Sequence, residues 1–260
     1  MARLPRPRMP RKLEHGEEAS LVEHLDELRQ RLFVVIGALA VGTVIGFVIH
    51  SHLIRWLELD LPKSKRHLYV KGPTDAFTTT LWISFYFGFA LALPIVLWQV
   101  WAFFIPAIQK TKASLLRWLS LLAAGLAVGG VTFGYFVVLP AALRFLTNYQ
   151  SKQISYLPFA KEYLGFCVHV LLAMMVVFEL PVFLVGLTRL GIMPTSKLRK
   201  NRRMGYFLCG VVGMAVAPSV DPVTTTLQAL PLFVLFEGSI WLCVLLDRRA
   251  TRLKTAAVQT

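Results

Sequence analysis

Apolar runs of about twenty residues recur along this chain, and they constrain its fold more than any other feature. They cover roughly 32–49, 75–104, 115–139, 163–188 and 227–246, with a shorter one at 204–217. A helix rises about 1.5 Å per residue, so a bilayer core of about 30 Å needs some twenty apolar residues. Lipid offers the backbone no hydrogen bonds, so only helices or a closed barrel can cross it. The runs are continuous and do not alternate apolar with polar, which selects helices. The chain is 56% hydrophobic and only 16% charged, too apolar for a soluble domain of 260 residues. The fold class expected is all-α, a polytopic membrane protein with six transmembrane helices. The run at 204–217 would rise only about 21 Å. With Pro218 and Pro222 at its turn, it reads as half of a hairpin that stops short of full depth or thins the bilayer locally.

The net charge of +14 would suit a nucleic-acid binder if it lay on a soluble face. It lies between the spans. Twenty Lys and Arg fall on one side of the expected topology and eight on the other. The positive-inside rule then puts both termini in the cytoplasm and removes nucleic acid as a partner. Met1 to Lys12 is basic and Pro-rich, with no short apolar core and cleavage site after it. Residues 1–19 are therefore expected as a disordered basic tail, 20–246 as one membrane domain and 247–260 as a second basic tail. Cys167, Cys209 and Cys243 all lie inside apolar runs and should pack as small apolar residues.

The last soluble stretch before the first run, 20–32, reads as a helix that continues into the span. Ser20 and Glu23 form a capping-box pattern. Leu21, Leu25, Leu28 and Leu32 make one apolar stripe, and Asp26–Arg29 and Glu27–Arg31 can pair along the helix. Within the spans, Gly42 and Gly46 permit close helix approach inside the protein. Residues 53–57 form an amphipathic piece of the first outer loop.

Catalytic signatures are missing. The sequence has no phosphate loop, no H-E-x-x-H and no G-x-S-x-G. No enzyme activity, metal or cofactor is expected. His169 is the one histidine in a span, and a hydrogen bond to a neighbouring helix explains it. Glu179 and Glu237 are carboxylates at membrane depth, so they should face the bundle interior or a polar cavity, or be protonated. Asp221 stands before Pro222, where capping of the last helix and a functional role explain it about equally.

Several stretches, taken together and in order, resemble one family. His24 to Leu32 is similar to the H-L-x-E-L-R-x-R-L motif of TatC, the core subunit of the twin-arginine protein translocase. Pro94 to Ala107 is similar to its P-x-x-x-x-Q-x-W-x-F-x-x-P-A segment, Gly134-Tyr135-Phe136 to its third-span signature, and Phe178 to Pro181 to its F-E-x-P. Pro218, Asp221 and the stretch from Leu230 to Glu237 resemble its last hairpin. The resemblance implies a concave, glove-like helical bundle in a bacterial-type cytoplasmic membrane. It implies a receptor for signal peptides with paired arginines, which moves folded proteins across the membrane on the proton-motive force. Partners implied are single-span subunits of the TatA and TatB type, further copies of the chain, and membrane lipids. Glu27 would be the acid that meets an arginine, with Leu25, Arg29 and Phe103 shaping the patch. Tyr135, Glu179, Asp221 and Glu237 would serve the concave, partner-facing side.

The likeness departs at one position. The family places a glutamate at the end of P-A-L-x-x-x-E, and Lys112 stands there in this chain. A two-glutamate clamp is therefore not carried over. Two other classes stay open on residues alone. One is a proton-coupled secondary transporter or channel using Glu179 and Glu237, although no inverted repeat supports it. The other is a scaffold for membrane helices with no transport role.

Overall fold

A computed structural model describes residues 21–61, 67–104, 113–149, 156–219 and 221–258. Nearly all of them are helical. The order is α1 (Leu21–Glu58), α2 (Asp75–Phe104), α3 (Ala113–Phe133), a π-helical turn (Gly134–Val138), α4 (Leu139–Asn148), α5 (Ala160–Phe178), α6 (Leu180–Arg189), α7 (Thr195–Lys200), α8 (Arg202–Val216) and α9 (Pro222–Val258). Among the described residues the sole β feature is a bridge between Tyr69 and Phe159. Among the described residues five units are long and apolar enough to cross a membrane: Leu25–Glu58, Asp75–Phe103, Arg117–Asn148, Ala160–Arg189 and Pro222–Arg248. The 15 residues of α8 rise about 22 Å, the short fifth run expected. We call the end where α1 begins the near end and the other the far end.

The seam between α1 and α2 is set by small residues. A Cβ built on Gly42 would lie 2.7 Å from the Gly88 carbonyl oxygen, and one on Gly88 would lie 2.4 Å from the Thr43 nitrogen. The two backbones are thus in contact, which is what the Gly42–Gly46 spacing predicts. At the far end the Tyr69 N–H donates to Pro158 O at 3.0 Å and the Ala160 N–H to Tyr69 O at 2.7 Å. This stitches the connection after α1 to the start of α5.

Two spans differ from the expected unbroken helices. The third continues past Leu139 to Asn148, through the π turn. Pro140 has no N–H to give to the turn before it, and the helix passes it by widening into the π turn, where the Leu139 N–H bonds to Gly134 O, so it does not open the loop expected there. The fourth is broken at Glu179, because Pro181 has no N–H and its ring crowds the preceding turn. Residues 53–57 belong to α1 itself. The last helix likewise runs to Val258, through the expected basic tail.

The core lies where α5 crosses the others. Leu164, Val170 and Met174 are almost fully buried against Val138, Leu139 and Ile240. All three cysteines are buried, as their apolar surroundings predict.

Candidate functional site

The near-end site grows from the first turns of α1. Leu25 is 62% exposed. Arg29 lies with its guanidinium carbon 5.7 Å from the Phe33 ring centroid, a cation–π arrangement. Four residues separate Glu27 from Arg31, so they share a helix face. Arg31 donates to Glu27 Oε1 from Nη2 at 2.5 Å and from Nε at 3.1 Å. It also reaches across to α2. Nη1 donates to Gln99 Oε1 at 3.0 Å, and Nη2 to the Ala102 carbonyl at 3.1 Å. Phe103 is half-buried on the same end of α2. Beneath it Trp101 is buried, its ring where a Cβ on Gly186 of α6 would sit. Lys112 lies outside the described residues, as does the Ser20 cap.

Glu179 sits deeper, at the break between α5 and α6. It is 8% exposed, and both carboxylate oxygens are buried with no hydrogen-bond partner among the described residues. An unpaired acid in such a place is costly, so a polar partner at that position would be strongly favoured.

The remaining sequence-predicted residues have intramolecular partners. Tyr135 lies on the π turn and is 7% exposed. It donates to the Trp56 carbonyl at 3.1 Å and stacks on the Trp56 ring at 4.5 Å. Glu237 of α9 is held from α8 on both oxygens. Arg202 Nη1 lies 2.9 Å from Oε1, and the Tyr206 hydroxyl donates to Oε2 at 2.7 Å. Asp221 caps α9: the Thr224 N–H donates to its Oδ1 at 2.7 Å, and the Ser219 hydroxyl to its Oδ2. Burial raises the Asp221 acid, but the Ser219 and Thr224 hydrogen bonds outweigh that and hold it below its ordinary value. His169 donates from Nδ1 to Gly165 O at 2.6 Å, and the Tyr86 hydroxyl of α2 lies 3.4 Å from Nε2. Its own helix thus supplies the shorter contact, and the neighbouring α2 supplies the longer one that was expected. Among the described residues no group of His, Cys, Asp or Glu is placed to hold a metal.

The structure therefore joins Leu25, Glu27, Arg29 and Phe103 at one end and leaves the others apart. Sequence reasoning missed Gln99 and Ala102 as partners of Arg31, and Arg202 as partner of Glu237. Gln99 stood inside the second quoted motif, but no spacing rule links it to α1.

Comparison with known proteins gives a consistent result. The family model described as Sec-independent protein translocase protein (TatC) matches residues 23–231. The Sec-independent protein translocase protein TatC of Deinococcus radiodurans is 36% identical over 230 residues, covering 84% of this chain and 83% of that protein. TatCd of Bacillus subtilis is 35% identical over 243 residues, covering 93% and 98%. The chloroplastic TATC of Pisum sativum is 32% identical over 239 residues, covering 91% and 67%. A crystal structure titled "Crystal Structure of Twin Arginine Translocase Receptor- TatC" superposes with a TM-score of 0.74 at 32% identity, covering 86% of this chain and 99% of that one. The motifs, the helical order and these relatives agree, and this integral membrane protein belongs to the TatC family of Sec-independent protein translocases.

Proposed function

We propose that this chain is the receptor for export signal peptides bearing paired arginines. In that reading it is also the core of a translocase that passes folded proteins across a bacterial-type cytoplasmic membrane, using the proton-motive force. One observation carries the receptor role: Glu27 already binds a guanidinium, that of Arg31, at the exposed near end of α1. A carboxylate with a planar guanidinium is the strong, charge-assisted pairing that an arginine-bearing ligand needs. Leu25, exposed two residues before Glu27 on α1, supplies apolar surface, and Arg29 on α1 and Phe103 on α2 lie at the same end of the molecule. The near end faces the cytoplasm, in keeping with the division of basic residues. TatA- and TatB-type single-span subunits are the partners. Glu179, whose oxygens lack partners among the described residues, meets a polar group of a partner helix there. Tyr135, Asp221 and Glu237 shape the surfaces around it. The rival transporter reading needs Glu179 and Glu237 to carry protons. Glu237 is engaged on both oxygens by Arg202 and Tyr206, which favours the receptor.

Binding of a labelled paired-arginine peptide, together with export by membranes, tests this. Glu27→Ala should weaken peptide binding by about tenfold or more, the usual loss for a charged hydrogen bond. Glu179→Ala should leave peptide binding intact and lower export. Unchanged affinity in Glu27→Ala would remove the receptor role from this end of the molecule.

A further inference from the structure

Acceptors from two helices meet the Arg31 guanidinium on three sides. Nε and Nη2 both donate to Glu27 Oε1 of α1. Nη1 donates to Gln99 Oε1 and Nη2 to the Ala102 carbonyl, both of α2. A carboxylate, an amide oxygen and a main-chain carbonyl around one fork match the donor geometry of a guanidinium. An ammonium is a compact charge with three donors, and it cannot reach this spread set at once.

We propose that Glu27, Gln99 and the Ala102 carbonyl form the site at which the chain reads an arginine of its ligand, and that Arg31 is an internal occupant which the incoming arginine displaces. The inference rests on the receptor reading above. It adds a basis for choosing arginine over lysine, and a built-in competitor that sets how well a ligand must fit.

The site is open to exchange. The Arg31 and Glu27 side chains are 22% and 35% exposed, so a guest can reach them from the surface. The pair is only partly buried, and Arg31 has a long stem with which to swing its charge toward water or headgroups. A guest with two adjacent arginines brings a second charge and its own apolar flank to the exposed Leu25 and Leu28. Binding is then reduced by the fraction of molecules in which Arg31 fills the site.

The opposite role for Arg31 is a strut that holds Glu27 in place and ties α1 to α2. The two roles predict opposite signs. The experiment compares the full chain in detergent micelles with Arg31→Lys, Arg31→Gln and Gln99→Leu. Each is titrated with a labelled peptide bearing either two arginines or two lysines. Arg31→Lys keeps the charge and most of the stem but loses the fork. It should bind the arginine peptide about three- to fivefold tighter, the upper end of what a single ion pair near the surface is worth. Arg31→Gln should tighten binding at least as much. Gln99→Leu should narrow the preference for arginine over lysine. Weaker or unchanged binding by Arg31→Lys, in protein that melts at the wild-type temperature, would make Arg31 a strut and overturn the proposal. Arg31→Lys also covers the case in which Arg31→Gln fails to fold. Absence of paired-arginine binding by the unaltered chain would instead remove the receptor reading, and the inference with it.

Discussion

Asp221 shows what one residue can settle. Its carboxylate accepts the Thr224 N–H, one of the donors that every helix start leaves without a partner. Its acid is held below the ordinary carboxylate value, with the Ser219 and Thr224 hydrogen bonds prevailing over burial. A depressed folded pKa means that this contribution is present above the unfolded value and is lost as pH falls through the folded one. The last hairpin should therefore loosen only below the ordinary carboxylate range. Asp221→Ala should cost about 1 kcal/mol at neutral pH and remove that acid dependence. Thermal melts in detergent at neutral and low pH would check both, and an unaltered acid slope in the variant would show that other groups produce it. At this scale the sequence was informative about which residues were unusual, since Glu179, Glu237 and His169 are all costly at membrane depth. It was uninformative about how each is satisfied. Arg202 and Glu237 lie 35 positions apart on different helices, and only the register between α8 and α9 brings them to 2.9 Å.

Elements were legible where one physical demand dominates. Burial in lipid needs continuous apolar length, so the long spans could be read directly. Breaks inside spans depend on competing local effects, and these were harder to read. Pro94 and Pro231 lie within α2 and α9 without ending them, whereas Pro181 ends α5 at Glu179. Pro140 instead falls in the first turn of a helix entered through a π turn. The α1–α2 seam offers a sharper test of element packing. A side chain on Gly88 would strike the Thr43 nitrogen at 2.4 Å and the Thr43 hydroxyl at 2.6 Å. Gly88→Val should thus force α1 and α2 apart, at a cost of about 3 kcal/mol, and so separate Arg31 from Gln99. Gly37→Ala, on the same helix as Gly42 but with nothing within 4 Å of its Cβ, should be neutral or stabilise slightly. Equal melting temperatures for Gly88→Val and the wild type would show that the seam is looser than these distances imply.

Across the whole molecule, the helix order and the charge pattern make one joint prediction about orientation. Starting from α1, the five long spans and the short α8 would bring the chain back and forth six times if α8 crosses. Both termini then share a side only if α8 and α9 together cross and return. Five long spans with α8 lying on one side would place the C-terminus opposite the N-terminus, so the short hairpin decides the topology. Its contacts favour a crossing. Glu237, 15 residues into α9, meets Arg202 at the first residue of α8, while Gly213 near the end of α8 faces Ala229 early in α9. The two helices therefore run antiparallel along a shared length, with α8 inserted beside α9. The positive-inside rule then compares two sides with twenty and eight Lys and Arg and assigns the richer one to the cytoplasm. A reporter active only in the cytoplasm, fused after Thr260, should be active, and one active only after export, inserted at Lys152, should be active as well. Replacing Arg199, Lys200, Arg202 and Arg203 by Gln would reduce the charge step at α8 to its weakest point, so the C-terminal fusion should then report mixed orientation. An exported C-terminal reporter in the unaltered chain would mean that α8 does not cross, and the side of the proposed receptor end would have to be fixed from α1 alone.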